Sequence, residues 1–296
     1  MLAYVLILPA GFAAQLIDGT LGMGYGASSS SLLLAAGLAP AAVSASVHVA
    51  KVFAGLTSGI AHCALGNVDR QTAVPIAVGG VVGGVGGALF VSSIDGERIR
   101  PLVAAILLIL GVRILAAHLP RKRTVRWLSY RSSRRFLVPL GLVGGAVDAV
   151  GGGGWGPVCT PALLSVGARE PRYVVGSVNA AEFAVALATT IAFAVTLGPS
   201  RFLWPIALPL LVGGMIAAPV SALACRKITA RGLGVSVGLV LVALNLGALA
   251  PVISRLAGHP RPTVAVPPAV FAAIAFGLIA LLVRAIWLRR SIGQEA

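Results

Sequence analysis

Charge is scarce in this chain of 296 residues. Only 10% are Asp, Glu, Lys or Arg, where a soluble domain carries about 25%. With 58% apolar residues and a mean hydropathy of +0.97, that shortage excludes an ordinary soluble domain. The chain reads as a polytopic membrane protein. Acidic residues are rarer still, 8 against 23 basic ones, for a formal net charge of +15. The basic residues lie mostly in loops between apolar runs, where they set orientation, so no nucleic-acid partner is expected. Cysteine is nearly absent. Cys63, Cys159 and Cys225 are far apart and give neither a disulfide framework nor a metal-ligand spacing. No basic region precedes the apolar stretch 1–14, so a cleavable signal is not expected. No Gly-Lys-Ser/Thr follows a glycine run, which excludes a phosphate loop. Nor is there an ATPase segment, a Ser/His/Asp order or a pair of catalytic carboxylates. An enzyme, a cofactor and a metal are therefore not expected.

Glycine is abundant, with 37 residues, and two glycine-rich breaks organise the rest. One is Asp18-Gly19-Thr20-Leu21-Gly22-Met23-Gly24-Tyr25-Gly26. The other is Asp148-Ala149-Val150-Gly151-Gly152-Gly153-Gly154-Trp155-Gly156-Pro157. Laid over each other, Asp18 meets Asp148, Gly22 meets Gly152, Gly24 meets Gly154, Tyr25 meets Trp155 and Gly26 meets Gly156. This is an internal duplication. It continues through Ser46-Val47-His48-Val49-Ala50-Lys51, which aligns with Ser177-Val178-Asn179-Ala180-Ala181-Glu182, and through 75–80, which aligns with 209–214. A cluster of Gly79, Gly80, Gly83, Gly84, Gly86 and Gly87 reads as close helix packing by small residues.

A full span needs about 20 residues to cross about 30 Å of hydrocarbon. Spans are expected at 41–64, 72–93, 99–119, 173–197, 202–224, 233–252 and 266–287, the last without a counterpart in the first half. The piece after the first break, 27–36, rises only about 15 Å. Each duplicated opening is therefore expected to enter the membrane, break midway and return, with its bare backbone buried in protein or lining a wet cavity. Two tilted complete helices are the alternative. A re-entrant hairpin plus three crossings makes an odd number of passes, so the halves point in opposite directions. The expected fold is all-α and polytopic, with two inverted-topology repeats at 1–119 and 136–252. A basic cytoplasmic loop spans 120–135, and an extra helix and tail span 253–296. With that loop inside, every basic residue except Arg98, Arg100, Arg201, Arg255, Arg261 and Lys51 lies at the inner side, as the positive-inside bias requires.

Lys51 and Glu182 each fall about ten residues into a span, near mid-depth. A charge there costs about 2.5 to 3.5 kcal/mol on insertion scales and needs a partner or a function. His48 is one turn before Lys51, and Asn179 one turn before Glu182, so each pair shares a face. Ser46 and Ser177 stand nearby at matched positions. The return helices are expected to start at Gly26 and Gly156. Their free N–H groups, with Ser28 and the glycines Gly24 and Gly154, favour a small anion. A buried structural ion pair and internally capped helix ends are the bland alternatives. Asp18 and Asp148 read as braces of the breaks, with a coupled proton or cation as the other role. Tyr25 and Trp155 read as packing or gating side chains. His62, Cys63, His118 and His259 receive no assignment.

At these residues the chain resembles the sulfite exporter TauE/SafE family, over about residues 8–250. The resemblance is carried by both breaks, by Ser44-Ala45-Ser46-Val47-His48, by Gly66-Asn67-Val68-Asp69 and by Gly176-Ser177-Val178-Asn179-Ala180-Ala181-Glu182-Phe183. It implies a transporter in the plasma (inner) membrane that moves small sulfur-containing anions such as sulfite or organosulfonates, usually outward. It also implies an acidic residue in the place of Lys51, where this chain has lysine. The expected function is thus a secondary transporter working by alternating access around a midplane site. Its partners are a small anion, the lipid bilayer and a coupled proton or cation, with a homodimer left open. The rival reading is a membrane-embedded subunit of an enzyme or assembly, with Asp18, His48 and Asp148 as acid–base groups.

Overall fold

A computed structural model describes residues 2–118, 134–165, 170–225 and parts of 235–250. Among these the chain is all-helical. The order is α1 (Leu2–Leu21), α2 (Tyr25–Ala35), α3 (Pro40–Ala64), α4 (Arg70–Ser92), α5 (Gly96–His118), α6 (Arg134–Gly151), α7 (Trp155–Ser165), α8 (Pro171–Leu197), a 3-10 turn at Pro199–Arg201, and α9 (Trp204–Ala224). Five helices are long and apolar enough to cross a membrane: Pro40–Ala64, Arg70–Ser92, Arg98–Ala116, Pro171–Leu197 and Trp204–Ala224. They match the first five expected spans within three residues at each end. The basic loop, apart from Arg134 and Arg135, lies outside the described residues. So does the span expected at 266–287, and the one at 233–252 falls only partly inside.

Local chemistry sets the boundaries. Proline occupies the first position of α3 (Pro40) and of α8 (Pro171), where its missing N–H is spare. Asp69 caps α4: its carboxylate accepts from the Gln71 amide at 3.3 Å and from the Thr72 hydroxyl at 2.8 Å. The two breaks have the same construction. Gly22 and Gly152 adopt φ of +69° and +72°, a left-handed turn open to glycine at little cost. Each donates its N–H to the carbonyl of the matched aspartate, Asp18 or Asp148, at 2.6 Å. The short helices after the breaks, α2 and α7, start one residue earlier than the sequence suggests, at Tyr25 and Trp155. Both have 11 residues, about 16 Å of rise and too short to span.

The two halves interlock. α1 packs along α9, α6 packs along α4, and α3 packs along α8. Glycine permits the approach. Gly79 and Gly83 of α4 face the backbone of Val138 and Leu142 on α6, and Gly141 and Gly145 return the contact against Ile76 and Gly80. Gly11 of α1 meets the Leu210 backbone, and Gly213 of α9 meets that of Leu8. The glycine cluster thus packs helices together, as its composition suggests; Gly86 alone in it faces open space. The breaks also meet. Gly26 lies against the Gly152 carbonyl and Gly153, and Gly156 lies against the Gly22 carbonyl and Met23. A side chain at any of these points would collide with backbone. The outward faces carry apolar residues such as Val74, Val78 and Val82, which suits contact with lipid tails.

Candidate functional site

Beside the abutting breaks lies a group of buried ionisable side chains drawn from both halves. Lys51 of α3 is 2% exposed, Asp148 of α6 0% and Glu182 of α8 7%. The Lys51 Nζ donates to Asp148 Oδ1 at 2.8 Å and Oδ2 at 2.7 Å, and it lies 2.9 Å from Glu182 Oε1. An ammonium has three N–H bonds and no acceptor. All three are therefore engaged by carboxylate oxygens. Asp148 makes further contacts: Oδ2 lies 3.1 Å from His48 Nε2, and Oδ1 accepts the Trp155 amide at 3.1 Å. That last bond caps α7 at its first turn, and Asp18 caps α2 in the same way through the Tyr25 amide at 3.2 Å. Each aspartate stands seven residues before the amide it accepts. Asp148 is also the main partner of Lys51.

His48 faces acceptors on both sides. Its Nδ1 lies 2.8 Å from the Ser44 carbonyl and its Nε2 lies beside Asp148. A neutral imidazole donates from one nitrogen only. Which of its two contacts it donates depends on its tautomer. Phe193 packs on the ring at 5.9 Å between centroids. The Ser44 hydroxyl, one turn before His48, donates to the Ala149 carbonyl at 2.5 Å and ties α3 to the second break.

The remaining candidates fall into distinct places. Asn179 stays beside the site: it accepts from Ser58 at 3.0 Å and donates to Val175 at 3.1 Å and to the Asp18 carbonyl at 3.5 Å. Ser46 and Ser177 are not brought to the lysine. Ser46 accepts the Leu203 amide at 2.7 Å and Ser177 accepts the Asp69 amide at 2.9 Å. Each thus holds the residue just before a helix of the other half, α9 or α4. Gly24 is the N-cap of α2 with φ of 130°, and Gly154 packs on Val147 and Asp148. Ser28 sits half-buried in the first turn of α2. Tyr25 and Trp155 are fully buried, with their polar tips satisfied by the carbonyls of Leu210 at 2.9 Å and Val178 at 3.0 Å. Their rings lie on Gly214 and Gly80 respectively, so both act in packing.

The sequence reading assigned nothing to Ser44, Ser58 or Thr160, whose hydroxyl donates to the Gly22 carbonyl at 2.6 Å. Ser44 was within reach, standing four residues before His48 on one helix face. The partners of Ser58 and Thr160 are set by packing between the halves, which leaves no mark on the local sequence.

The profile of the family described as Sulfite exporter TauE/SafE matches residues 7–248. The chain belongs to the TauE/SafE family. It is 42% identical over 252 residues, covering 84% of each chain, to a Bacillus subtilis (strain 168) protein named "Probable membrane transporter protein YtnM". No solved structure matches it. As a TauE/SafE member it is a multi-pass membrane transporter and not an enzyme. That sets aside the reading of Asp18, His48 and Asp148 as the acid–base groups of an enzyme subunit.

Proposed function

We propose that this TauE/SafE member is a secondary transporter that exports a small sulfur-containing anion, sulfite or an organosulfonate, across the inner membrane. The observation that carries this is Lys51, a buried cation at the place where two broken helices from opposite halves meet. A charge at that depth is expensive to insert, and here it adjoins both helix breaks, a common construction of transporter sites near the midplane. The two halves form inverted repeats, each opening with a re-entrant hairpin. The matched breaks and the reciprocal packing of α1 on α9 and α6 on α4 support that reading. The orientation follows the positive-inside bias, with the basic loop and the C-terminus in the cytoplasm. Arg100, assigned outside, donates to the carbonyls of Gly37 and Leu38 at 2.6 and 3.1 Å. Arg70 and Arg134, assigned inside, line one cleft.

In the cycle, the halves rock around the fixed site and open it to each side in turn. Lys51 supplies the attraction for the anion. Tyr25 and Trp155 hold the breaks in register. The test is flux by the purified protein alone in liposomes loaded with sulfite, methanesulfonate or sulfoacetate. Saturable efflux of one of them, lost in Lys51→Met, is the expected result. Absence of flux for every small oxyanion and sulfonate would sink the reading.

A further inference from the structure

The three N–H bonds of Lys51 are all taken by carboxylate oxygens, so an anion reaches this ammonium only by displacing one of them. Asp148 is the harder to displace. It holds Lys51 through both oxygens, and it is anchored by His48 and by the Trp155 amide at the cap of α7. Glu182 holds the lysine through one oxygen and is the more exposed of the two, 7% against 0%. Charge points the same way. Lys51 faces Asp148 from α6, Glu182 from α8 and, at longer range, Asp18 from α1. His48 of its own helix adjoins Asp148, and Tyr25 of α2 and Cys159 of α7 complete the titratable surroundings. Two carboxylates already hold one ammonium and Asp18 stands farther off, so a further anion meets net repulsion unless a carboxylate is neutralised.

The duplication adds a second observation. Asp148 and Lys51 have Asp18 and Glu182 as their counterparts. The first half contributes Asp18 and Lys51 and the second Asp148 and Glu182, and Asp18 and Glu182 repel each other across the halves. Two carboxylates in one dry site favour a shared proton.

We propose that the anion and a proton occupy the site together. Glu182 takes the proton, and Lys51 turns the released N–H to the anion. This rests on the reading of the protein as an anion transporter. Anion and proton then cross as a unit, so a cell that accumulates the anion expels it with a proton, driven by the anion's own gradient. An inward proton gradient opposes that export.

The test uses methanesulfonate, which stays fully ionised across the working pH range, so any proton taken up goes to the protein. Binding to the detergent-purified full chain is measured by calorimetry in buffers of different ionisation enthalpy, from pH 5.5 to 8.5. The expected result is uptake of about one proton per anion and a Kd that rises up to about tenfold per pH unit in the alkaline range. Glu182→Gln is expected to bind the anion with no proton uptake and a Kd independent of pH. Anion binding by the natural chain without proton uptake overturns the proposal and leaves anion transport standing. Proton uptake unchanged in Glu182→Gln also overturns it. No anion binding at any pH overturns both the proposal and the sulfonate reading. Should Glu182→Gln not fold, the wild-type proton count decides alone.

Discussion

Removing the Lys51 charge tests the centre of the structure most directly. Lys51→Met preserves much of the side-chain volume and strands two buried carboxylates, Asp148 and Glu182. Breaking a buried pair by deleting one partner costs about 3 to 5 kcal/mol. Glu182→Gln is milder. The amide oxygen still accepts the third N–H, and both Asp148 contacts remain, so the loss is about 1 to 2 kcal/mol. In the double variant Lys51→Met with Glu182→Gln, only Asp148 is stranded, and it keeps the Trp155 amide and His48. Its stability should therefore lie between those of the single variants, not return to wild type. The coupling energy of the cycle should fall in the range of about 0.5 to 3 kcal/mol found for residues in contact. The assay is unfolding of all four proteins in one detergent, followed through intrinsic tryptophan fluorescence, beside liposome efflux. Both variants lacking Lys51 should be inactive. Additive stability losses would refute the contact between Lys51 and Glu182, and efflux restored in the double variant would show that the lysine does not hold the anion.

Other expectations are independent of that cycle. Gly26→Ala places a methyl against the Gly152 carbonyl and Gly153 and should cost about 1 to 3 kcal/mol by overpacking. Gly86→Ala, facing open space, should be neutral or stabilise by up to about 1 kcal/mol; equal effects in thermal unfolding would contradict the packing. Ser46→Ala and Ser177→Ala should each lose about 1 kcal/mol of stability while leaving anion affinity within about twofold, measured by calorimetry. A large drop in affinity would return these serines to the anion site. In a cysteine-free background, Arg70→Cys should react with impermeant thiol reagents only in opened cells, and Ser200→Cys in intact ones. The reverse pattern, or both on one side, would remove the inverted topology.

Much of this was legible in the sequence because it is written locally. Hydropathy located the five spans that fall among the described residues, and the paired glycine motifs marked both breaks. The match of Lys51 with Glu182 was visible from the register of the repeat, and the two side chains do meet. The dominance of Asp148 was not visible. Its position before Gly151 suits a brace, and only the packing of α3 against α6 carries its other face to Lys51. Ser46 and Ser177 show the converse. Their place in matched motifs suggested ligands, yet they stand five residues from Lys51 and Glu182. That is about 140° around a helix, and their hydroxyls serve the neighbouring loop.

The interleaving of the halves has a consequence for how the protein is made. Gly11 finds its partner backbone only at Leu210, and Ser46 its amide only at Leu203. At about 5 to 20 residues per second, roughly 10 to 40 seconds separate the synthesis of the first surface from that of its complement. For about the first half of that time Lys51 has neither Asp148 nor Glu182 to pair with. Neither half is an assembly unit, and a chain interrupted before α9 exposes what membrane quality control removes.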